Sequence, residues 1–178
     1  RLTDTKGIRP LLKAFCRVIN KYPKARLIIA GSTHSKDWHT QLCLLGKKAL
    51  TKITFAEQLT PEEMDEWYKI TDIGLASAHV EQCSYSGIEM LMYGLPIIAS
   101  DGFGGQNMFV DNYNAKVAKV GNEDNLKEYE VNLSKAILEL LKSNKLRENL
   151  SKGAVEIYRN KYTIDMMQKE YEVLFANI

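Results

Sequence analysis

The sequence contains few cysteines and no long apolar run, and each absence excludes a class of protein. Its three cysteines, Cys16, Cys43 and Cys83, show no CxxC or Cys/His spacing. We therefore expect reduced thiols in a cytoplasmic protein, without a zinc site. No apolar run approaches the roughly 18 residues that cross a bilayer. Residues 1–10 lack the apolar stretch of a signal peptide, so no secretory leader is expected there.

An excess of charge of either sign is also missing. The chain carries 24 Lys and Arg against 22 Asp and Glu, a formal net charge of +2. A net charge this small does not indicate a nucleic acid or an anionic membrane as a partner. With 45% hydrophobic and 26% charged residues, the composition is that of a folded chain and excludes disorder. The 178 residues fit a single domain, 1–178, that is large enough to bury a core.

Short apolar runs alternate with helical patterns along the chain. Five runs are predicted to be strands: residues 26–30, 53–55, 72–76, 96–99 and 117–120. Their apolarity is continuous rather than alternating, which is typical of strands covered on both faces in a parallel sheet. Beyond Gly121 only helical patterns follow. This order predicts an α/β fold, a doubly wound Rossmann-like parallel sheet with helices on both faces and a helical C-terminal tail.

Two of the predicted helices carry clear terminal signals. Residues 60–63 (Thr-Pro-Glu-Glu) combine a capping box with proline at the first helical position. Residues 84–93 form a helical pattern, which Gly94 is expected to end in the left-handed conformation. Sheets of this type bind ligands beyond the carboxyl ends of their strands, so the loops after the strands are the places to look for function.

The loop after Ala76 and the helix behind it hold the most informative polar residues. Glu81 precedes that helix, Glu89 lies inside it, and residues 84–87 (Ser-Tyr-Ser-Gly) occupy its first turn. A helix start presents free N–H groups and a partial positive charge, which suit a phosphate. The two glutamates flank this anion site and can accept hydrogen bonds from hydroxyl groups. The arrangement suits a sugar–diphosphate–ribose ligand.

Two basic residues near the amino terminus could neutralise such a diphosphate. Arg1 and Lys6 are five residues apart, and Gly7 follows just before the first amphipathic helix. Cations converge on phosphate groups in proteins, so this pair is predicted to clamp the ligand. Arg1 could instead be frayed, because it stands at a chain end.

These motifs resemble those of a known family. Residues 1–7 (Arg-Leu-Thr-Asp-Thr-Lys-Gly) resemble the R-x4-K-G motif in the carboxyl-terminal domain of retaining GT-B glycosyltransferases of family 4. Glu81-x7-Glu89, followed by residues 90–101, resembles that family's E-x7-E signature and the small-x-G-x-P-V-I-A-S/T-D sequence behind it. Residues 53–75 resemble the block between the two motifs. The motifs occur in the family's order over most of the chain.

The resemblance implies a role for each site residue. Arg1 and Lys6 match the pair that binds the donor phosphates and stabilises the leaving group, and Glu81 matches the residue that contacts the donor sugar. These three are the predicted catalytic residues. Glu89 matches the glutamate that accepts hydrogen bonds from the ribose hydroxyls. The family needs neither a bound metal nor a cofactor for this chemistry, because cationic side chains neutralise the charge.

Backbone groups complete the predicted substrate site. The N–H groups expected to meet the diphosphate belong to Tyr85, Ser86 and Gly87. The segment expected to lie where the family's backbone reads the nucleobase is Glu57, Gln58 and Leu59.

The resemblance also implies what surrounds this domain. It corresponds to the half of a retaining enzyme that binds a nucleoside-diphosphate sugar of the UDP or GDP type and transfers the sugar to an acceptor hydroxyl. The implied pathway is polysaccharide or glycoconjugate synthesis. The N-terminal acceptor domain and the central strand expected before Arg1 lie outside this sequence, so the isolated domain is expected to be inactive. The full enzyme could associate peripherally with the inner face of a membrane.

Two other functions stay open on the sequence. Residues 83–84 (Cys-Ser) replace the family's Phe-Gly, and residues 106–107 (Gln-Asn) replace its Pro-Glu. These changes are compatible with a non-catalytic nucleotide-sugar-binding module. A dinucleotide-binding oxidoreductase domain is the third interpretation, although residues 101–105 do not form the GxGxxG fingerprint. His79 and Cys83 lie near the expected site, and a lone loop histidine or a structural thiol explains them equally well.

Overall fold

The computed structural model describes residues 3–31, 47–57, 59–122 and 124–176. The short 3-10 turns are Asp4–Lys6 and Gly105–Asn107. The strands are β1 (Leu27–Ala30), β2 (Ile53–Ala56), β3 (Gly74–Ala76), β4 (Ile97–Ser100) and β5 (Ala115–Ala118). The helices are α1 (Ile8–Lys21), α2 (Lys47–Leu50), α3 (Pro61–Ile70), α4 (Tyr85–Met92), α5 (Lys127–Lys142), α6 (Asn144–Lys161) and α7 (Ile164–Ala176).

The five strands form two parallel groups. β1 pairs with β2, and β4 lies between β3 and β5. The predicted parallel α/β architecture is therefore confirmed. The last strand begins two residues earlier than its apolar pattern indicated, because pairing with β4 sets Ala115 opposite Ile97. The N–H of Val120, which was expected inside this strand, leaves the ladder and donates to Asp101 Oδ1 at 2.6 Å.

A cavity of about 1010 Å³ separates the two groups of strands. Ile28 of β1 and Leu75 of β3 line it from either side, and Phe15 of α1 and Ile137 of α5 also line it. Among the described residues, neither β1 nor β3 pairs with a strand on this side. Toward the carboxyl ends of the strands the same cavity reaches Glu89.

Helices cover the strands in two apolar clusters. In the first, α1 packs on α5 around the buried side chains Leu11, Leu12, Phe15, Val18, Ile19, Tyr129, Leu133, Ile137 and Leu140. In the second, α4 packs on α6 and β3 around the buried side chains Met90, Leu91, Ile97, Ala99 and Ala154. The continuous apolarity of β4 follows from this position, since all four of its residues are buried.

The helix ends follow the signals in the sequence. Thr60 caps α3, and its reciprocal bonds with Glu63 form the predicted capping box, with Pro61 as the first helical residue. Gly94 ends α4 with a φ of 63°, as expected for a left-handed cap. No helix in the described ranges combines the length and apolarity needed to cross a membrane. Cys16 and Cys83 form no disulfide within the described ranges, and Cys43 lies outside the described residues.

Helix α7 ends the described chain as the predicted helical tail, but its apolar face is open. The exposed residues on it are Ile164, Met167, Tyr171, Leu174 and Phe175, each more than half accessible.

Candidate functional site

Three stretches of chain meet beyond the carboxyl end of β3. The loop that leaves β3 is held on one side by the residues before α1, because the N–H of His79 donates to Thr5 O at 3.0 Å. It is held on the other side by the loop after β4, where the N–H of Glu81 donates to Phe103 O at 3.0 Å. These backbone bonds fix the position of the loop that carries Glu81.

Lys6 and Glu81 form an ion pair at this junction. Lys6 Nζ contacts Glu81 Oε2 although the two residues are 75 positions apart in the sequence. The Lys6 backbone is held as well, since Ser77 Oγ donates to Lys6 O at 3.0 Å. Two of the predicted catalytic residues are thus brought together. Arg1, the third, lies outside the described residues.

Gly7 allows this arrangement by its close approach to β3. Its φ is 69°, and a Cβ atom built on it would lie 1.9 Å from Ser77 O. Only glycine combines that backbone conformation with that contact. Tyr129 supports the same carbonyl from the core, since its hydroxyl donates to Ser77 O at 2.8 Å. Burial is the main reason that the pKa of Tyr129 is raised well above its usual range.

The start of α4 lies beside Glu81. Ser84 is the N-cap, and its Oγ accepts a hydrogen bond from the Gly87 N–H at 3.1 Å. The N–H groups of Tyr85 and Ser86 belong to the first turn, where a helix provides no acceptor of its own. Ser84 and Glu81 line one small pocket. A ligand that bound the Gly87 N–H would have to displace the Ser84 hydroxyl.

Glu89 lies on α4 in the large cavity, which Ser86 and Leu59 also line. Tyr68 of α3 donates its hydroxyl to Glu89 Oε2 at 2.7 Å. Burial, followed by the bond to Glu89, raises the pKa of Tyr68 far above its usual range. Glu57 is exposed just before Leu59, and Gln58 lies outside the described residues.

Two glycines after β4 pack against the loop that carries Glu81, which the sequence interpretation missed. A Cβ on Gly102 would lie 2.2 Å from His79 O, and one on Gly104 would lie 1.5 Å from Glu81 O. The loop that carries Glu81 therefore packs directly on glycine backbone. The signal is the glycine-rich run of residues 101–105 (Asp-Gly-Phe-Gly-Gly), since glycine permits this close backbone packing.

The chemistry of the site is that of charges and hydrogen bonds. Across the described ranges, no three His, Cys, Asp or Glu side chains come together as a metal site would require. His79 Nδ1 is buried without a hydrogen-bond partner in the described part of the chain. A lysine, a carboxylate and helix-start amides suit an anionic ligand with neutral hydroxyl groups attached.

Comparison with known proteins identifies the family. A family model for glycosyl transferases group 1 matches residues 1–156. The chain belongs to this glycosyltransferase family. Spore coat protein SA of Bacillus subtilis (strain 168) is 27% identical over 158 residues, which cover 85% of this chain and 40% of that protein. Poly(glycerol-phosphate) alpha-glucosyltransferase of the same organism is 25% identical, over 88% of this chain and 22% of that protein. The glycosyltransferase chain thus spans less than half the length of these relatives.

Solved structures share the fold of this glycosyltransferase domain. Anabaena HepE in complex with UDP has a TM-score of 0.85 at 15% identity, over 100% of this chain and 47% of HepE. The C-terminal domain of LpcC, a glycosyl transferase group 1 family protein of Francisella tularensis, has a TM-score of 0.79 at 21% identity, over 92% of this chain and 83% of that one. The predicted fold, that of a GT-B carboxyl-terminal domain, is confirmed.

Proposed function

We propose that this chain is the donor-binding half of a retaining glycosyltransferase, which binds a nucleoside-diphosphate sugar and transfers the sugar to an acceptor hydroxyl. The observation that carries the proposal is the contact between Lys6 and Glu81 beside the start of α4. One cation, one carboxylate and the amides of a helix start lie within one junction. A diphosphate bonded to a sugar presents the matching groups, an anion and neutral hydroxyls.

In this proposal Lys6 binds the diphosphate, together with Arg1 and the amides of Tyr85 and Ser86. The positive charge and the helix dipole stabilise the negative charge that develops on the leaving diphosphate when the glycosidic bond breaks. Glu81 then orients the donor sugar by accepting its hydroxyl groups. A related fold, that of HepE, has been solved with UDP and with UDP-glucose, which supports the choice of ligand class.

Glu89 and the segment before α3 bind the nucleoside in the same proposal. Glu89 accepts hydrogen bonds from the ribose hydroxyls, and the backbone of Glu57, Gln58 and Leu59 reads the base. Support comes from the cavity that Leu59, Ser86 and Glu89 line together. The Gly87 N–H joins the diphosphate site once the Ser84 hydroxyl moves aside.

We further propose that residues outside this sequence supply an acceptor-binding domain and one more parallel strand. The cavity between β1 and β3 supports the strand, because both facing edges lack a partner among the described residues. The start of α1 at the carboxyl end of β3 suits a strand that runs parallel to β3 and enters α1. The match to 47% of HepE supports a second domain.

The biological setting belongs to the proposal as well. Polysaccharide or glycoconjugate synthesis is the pathway class, and the expected location is the cytoplasm, with peripheral association of the whole enzyme at the inner membrane face. The name of the glucosyltransferase relative supports the pathway class.

Calorimetric titration with UDP and with GDP tests the donor site. We expect the chain to bind one of them, and Glu89→Ala to weaken that binding about tenfold or more, as loss of a charged hydrogen-bond acceptor would. Glu148→Ala, on the exposed face of α6, is the matched control and leaves the affinity unchanged. Unchanged affinity in Glu89→Ala would count against the proposed function.

A further inference from the structure

Glu89 is bound by a side chain from a different helix. The Tyr68 hydroxyl of α3 donates to Glu89 Oε2 at 2.7 Å, across the wall of the large cavity. Tyr68 is partly buried, whereas Glu89 is exposed on the surface of α4. A glutamate on a helix surface otherwise has several rotamers available, and each would place its carboxylate differently.

The Tyr68 ring is itself held in place. It stacks on the ring of Tyr93 with 5.0 Å between ring centroids and 26° between planes. The Tyr93 hydroxyl donates to Asp65 Oδ1, and Lys69 Nζ lies 2.5 Å from Asp65 Oδ2. The ring that orients Glu89 is therefore fixed by contacts from both α3 and the end of α4.

A carboxylate held at one oxygen presents the other in a defined place. With Oε2 bonded to Tyr68, Glu89 Oε1 is the oxygen left for a ligand hydroxyl, together with the remaining lone pair of Oε2. A ribose offers two neighbouring hydroxyls to this carboxylate, whereas a 2′-deoxyribose offers one. A carboxylate fixed at one oxygen cannot turn to make up for the missing hydroxyl, so the 2′-deoxyribose loses one charged hydrogen bond.

We propose that Tyr68 is a positioning residue for Glu89 and that the pair makes the site selective for ribose over 2′-deoxyribose nucleotides. The inference rests on the proposed function, in which Glu89 accepts hydrogen bonds from the ribose. Tyr68 acts through Glu89 and need not touch the ligand. The donor site thereby gains selectivity for ribonucleotide donors from a residue outside the E-x7-E motif.

The test is titration of the full chain with UDP and with 2′-deoxy-UDP, or with the GDP pair if GDP is the ligand that binds. We expect the parent chain to prefer the ribonucleotide about tenfold, and Tyr68→Phe to reduce this ratio to about two. Phenylalanine keeps the ring stacked on Tyr93 and removes only the hydroxyl. Most of the change falls on UDP, which loses about fivefold, while 2′-deoxy-UDP changes little.

A double-mutant cycle separates positioning from a structural effect. In a Glu89→Ala background, Tyr68→Phe should produce no additional change, because the hydroxyl acts through the absent carboxylate. Tyr113→Phe is the matched control. Tyr113 lies just before β5, at the opposite end of the sheet from Glu89, and its hydroxyl bonds to Glu156 of α6. This control should leave both affinities as they are in the parent chain.

The outcomes distinguish the inference from the function on which it rests. If Glu89→Ala binds UDP like the parent chain, the proposed function fails. If Glu89→Ala weakens binding but Tyr68→Phe keeps the ribose preference, or adds a further loss to Glu89→Ala, the inference alone is overturned. Equal binding of UDP and 2′-deoxy-UDP by the parent chain overturns it without any variant, so a Tyr68→Phe protein that failed to fold would not prevent a decision.

Discussion

The starts of α1 and α4 are held in place in different ways. Each helix begins near the carboxyl end of β3, beside the residues of the Lys6–Glu81 ion pair. Ser84 caps α4 with its own hydroxyl, whereas α1 begins at Gly7 without a side-chain cap. Gly7 is instead pressed against Ser77 O of β3 and its loop. The start of α4 is thus fixed by a local bond, and that of α1 by a contact between distant parts of the chain.

The largest effect on stability is expected from a substitution that blocks the contact between Gly7 and Ser77 O. Gly7→Ala would force a Cβ to 1.9 Å from Ser77 O at a φ of 69°. Left-handed strain and overpacking together should lower the free energy of unfolding by about 3 kcal/mol, as urea denaturation would measure. Gly94→Ala shares the positive φ, but its Cβ meets only the Val155 side chain at 2.8 Å, so it should cost about half as much. Equal losses would mean that the contact with Ser77 does not fix α1.

The second effect concerns the charge at the start of α1. Lys6→Ala should weaken UDP binding about tenfold to a hundredfold, since a cation on a diphosphate is a strong charged contact, and the loss should shrink as salt rises. Lys21→Ala removes the same charge from the last turn of α1, at the end away from the site. Calorimetry should show UDP affinity preserved in that variant. Similar losses in both would point to a general field effect instead of a specific contact.

The third effect is a pH dependence. The raised pKa of buried Tyr129 keeps its phenol neutral in the folded chain, whereas the unfolded chain ionises it near pH 10. The neutral phenol therefore makes its full contribution to the free energy of unfolding below pH 10. Above pH 10 that free energy falls by up to roughly 1.4 kcal/mol per pH unit.

Thermal or urea unfolding between pH 8 and pH 11 checks this contribution. Tyr129→Phe should cost about 1 kcal/mol at pH 8, through the lost bond to Ser77 O, and should flatten the alkaline decline. Tyr171→Phe, on exposed α7, should change neither value. An unchanged alkaline slope in Tyr129→Phe would contradict the assignment.

The smallest effect is expected at the local cap of α4. Ser84→Ala and Ser143→Ala each remove an N-cap hydroxyl, the latter at the start of α6, and each should lower stability by about 1 kcal/mol. Only Ser84→Ala frees the Gly87 N–H for a diphosphate, so only this variant should bind UDP more tightly, by about threefold. Weaker binding by Ser84→Ala would mean that the hydroxyl itself serves the ligand.

The contrast between the two helix starts also explains how much could be predicted. Local features were predicted from local sequence: the capping box at Thr60, the left-handed Gly94 and four of the five strand positions. The last strand was displaced by two residues because its position depends on pairing with β4, which its own residues do not encode.

The sequence patterns could not predict contacts between residues that lie far apart in the sequence. The motifs named Lys6 and Glu81 separately, but their ion pair depends on how Gly7 packs against β3. The support of Glu89 by Tyr68 requires the relative placement of α3 and α4, since the two residues lie 21 positions apart. The roles of the site residues toward a ligand stay predictions.

The ion pair between Lys6 and Glu81 has a thermodynamic consequence for recognition. Each of the two charges serves as the counter-ion of the other. A ligand that brings only phosphate has to separate them and leaves a carboxylate without compensation. One that brings phosphate and hydroxyl groups on the same molecule satisfies both partners at once, so the two halves of a sugar nucleotide would bind cooperatively, each lowering the cost of admitting the other.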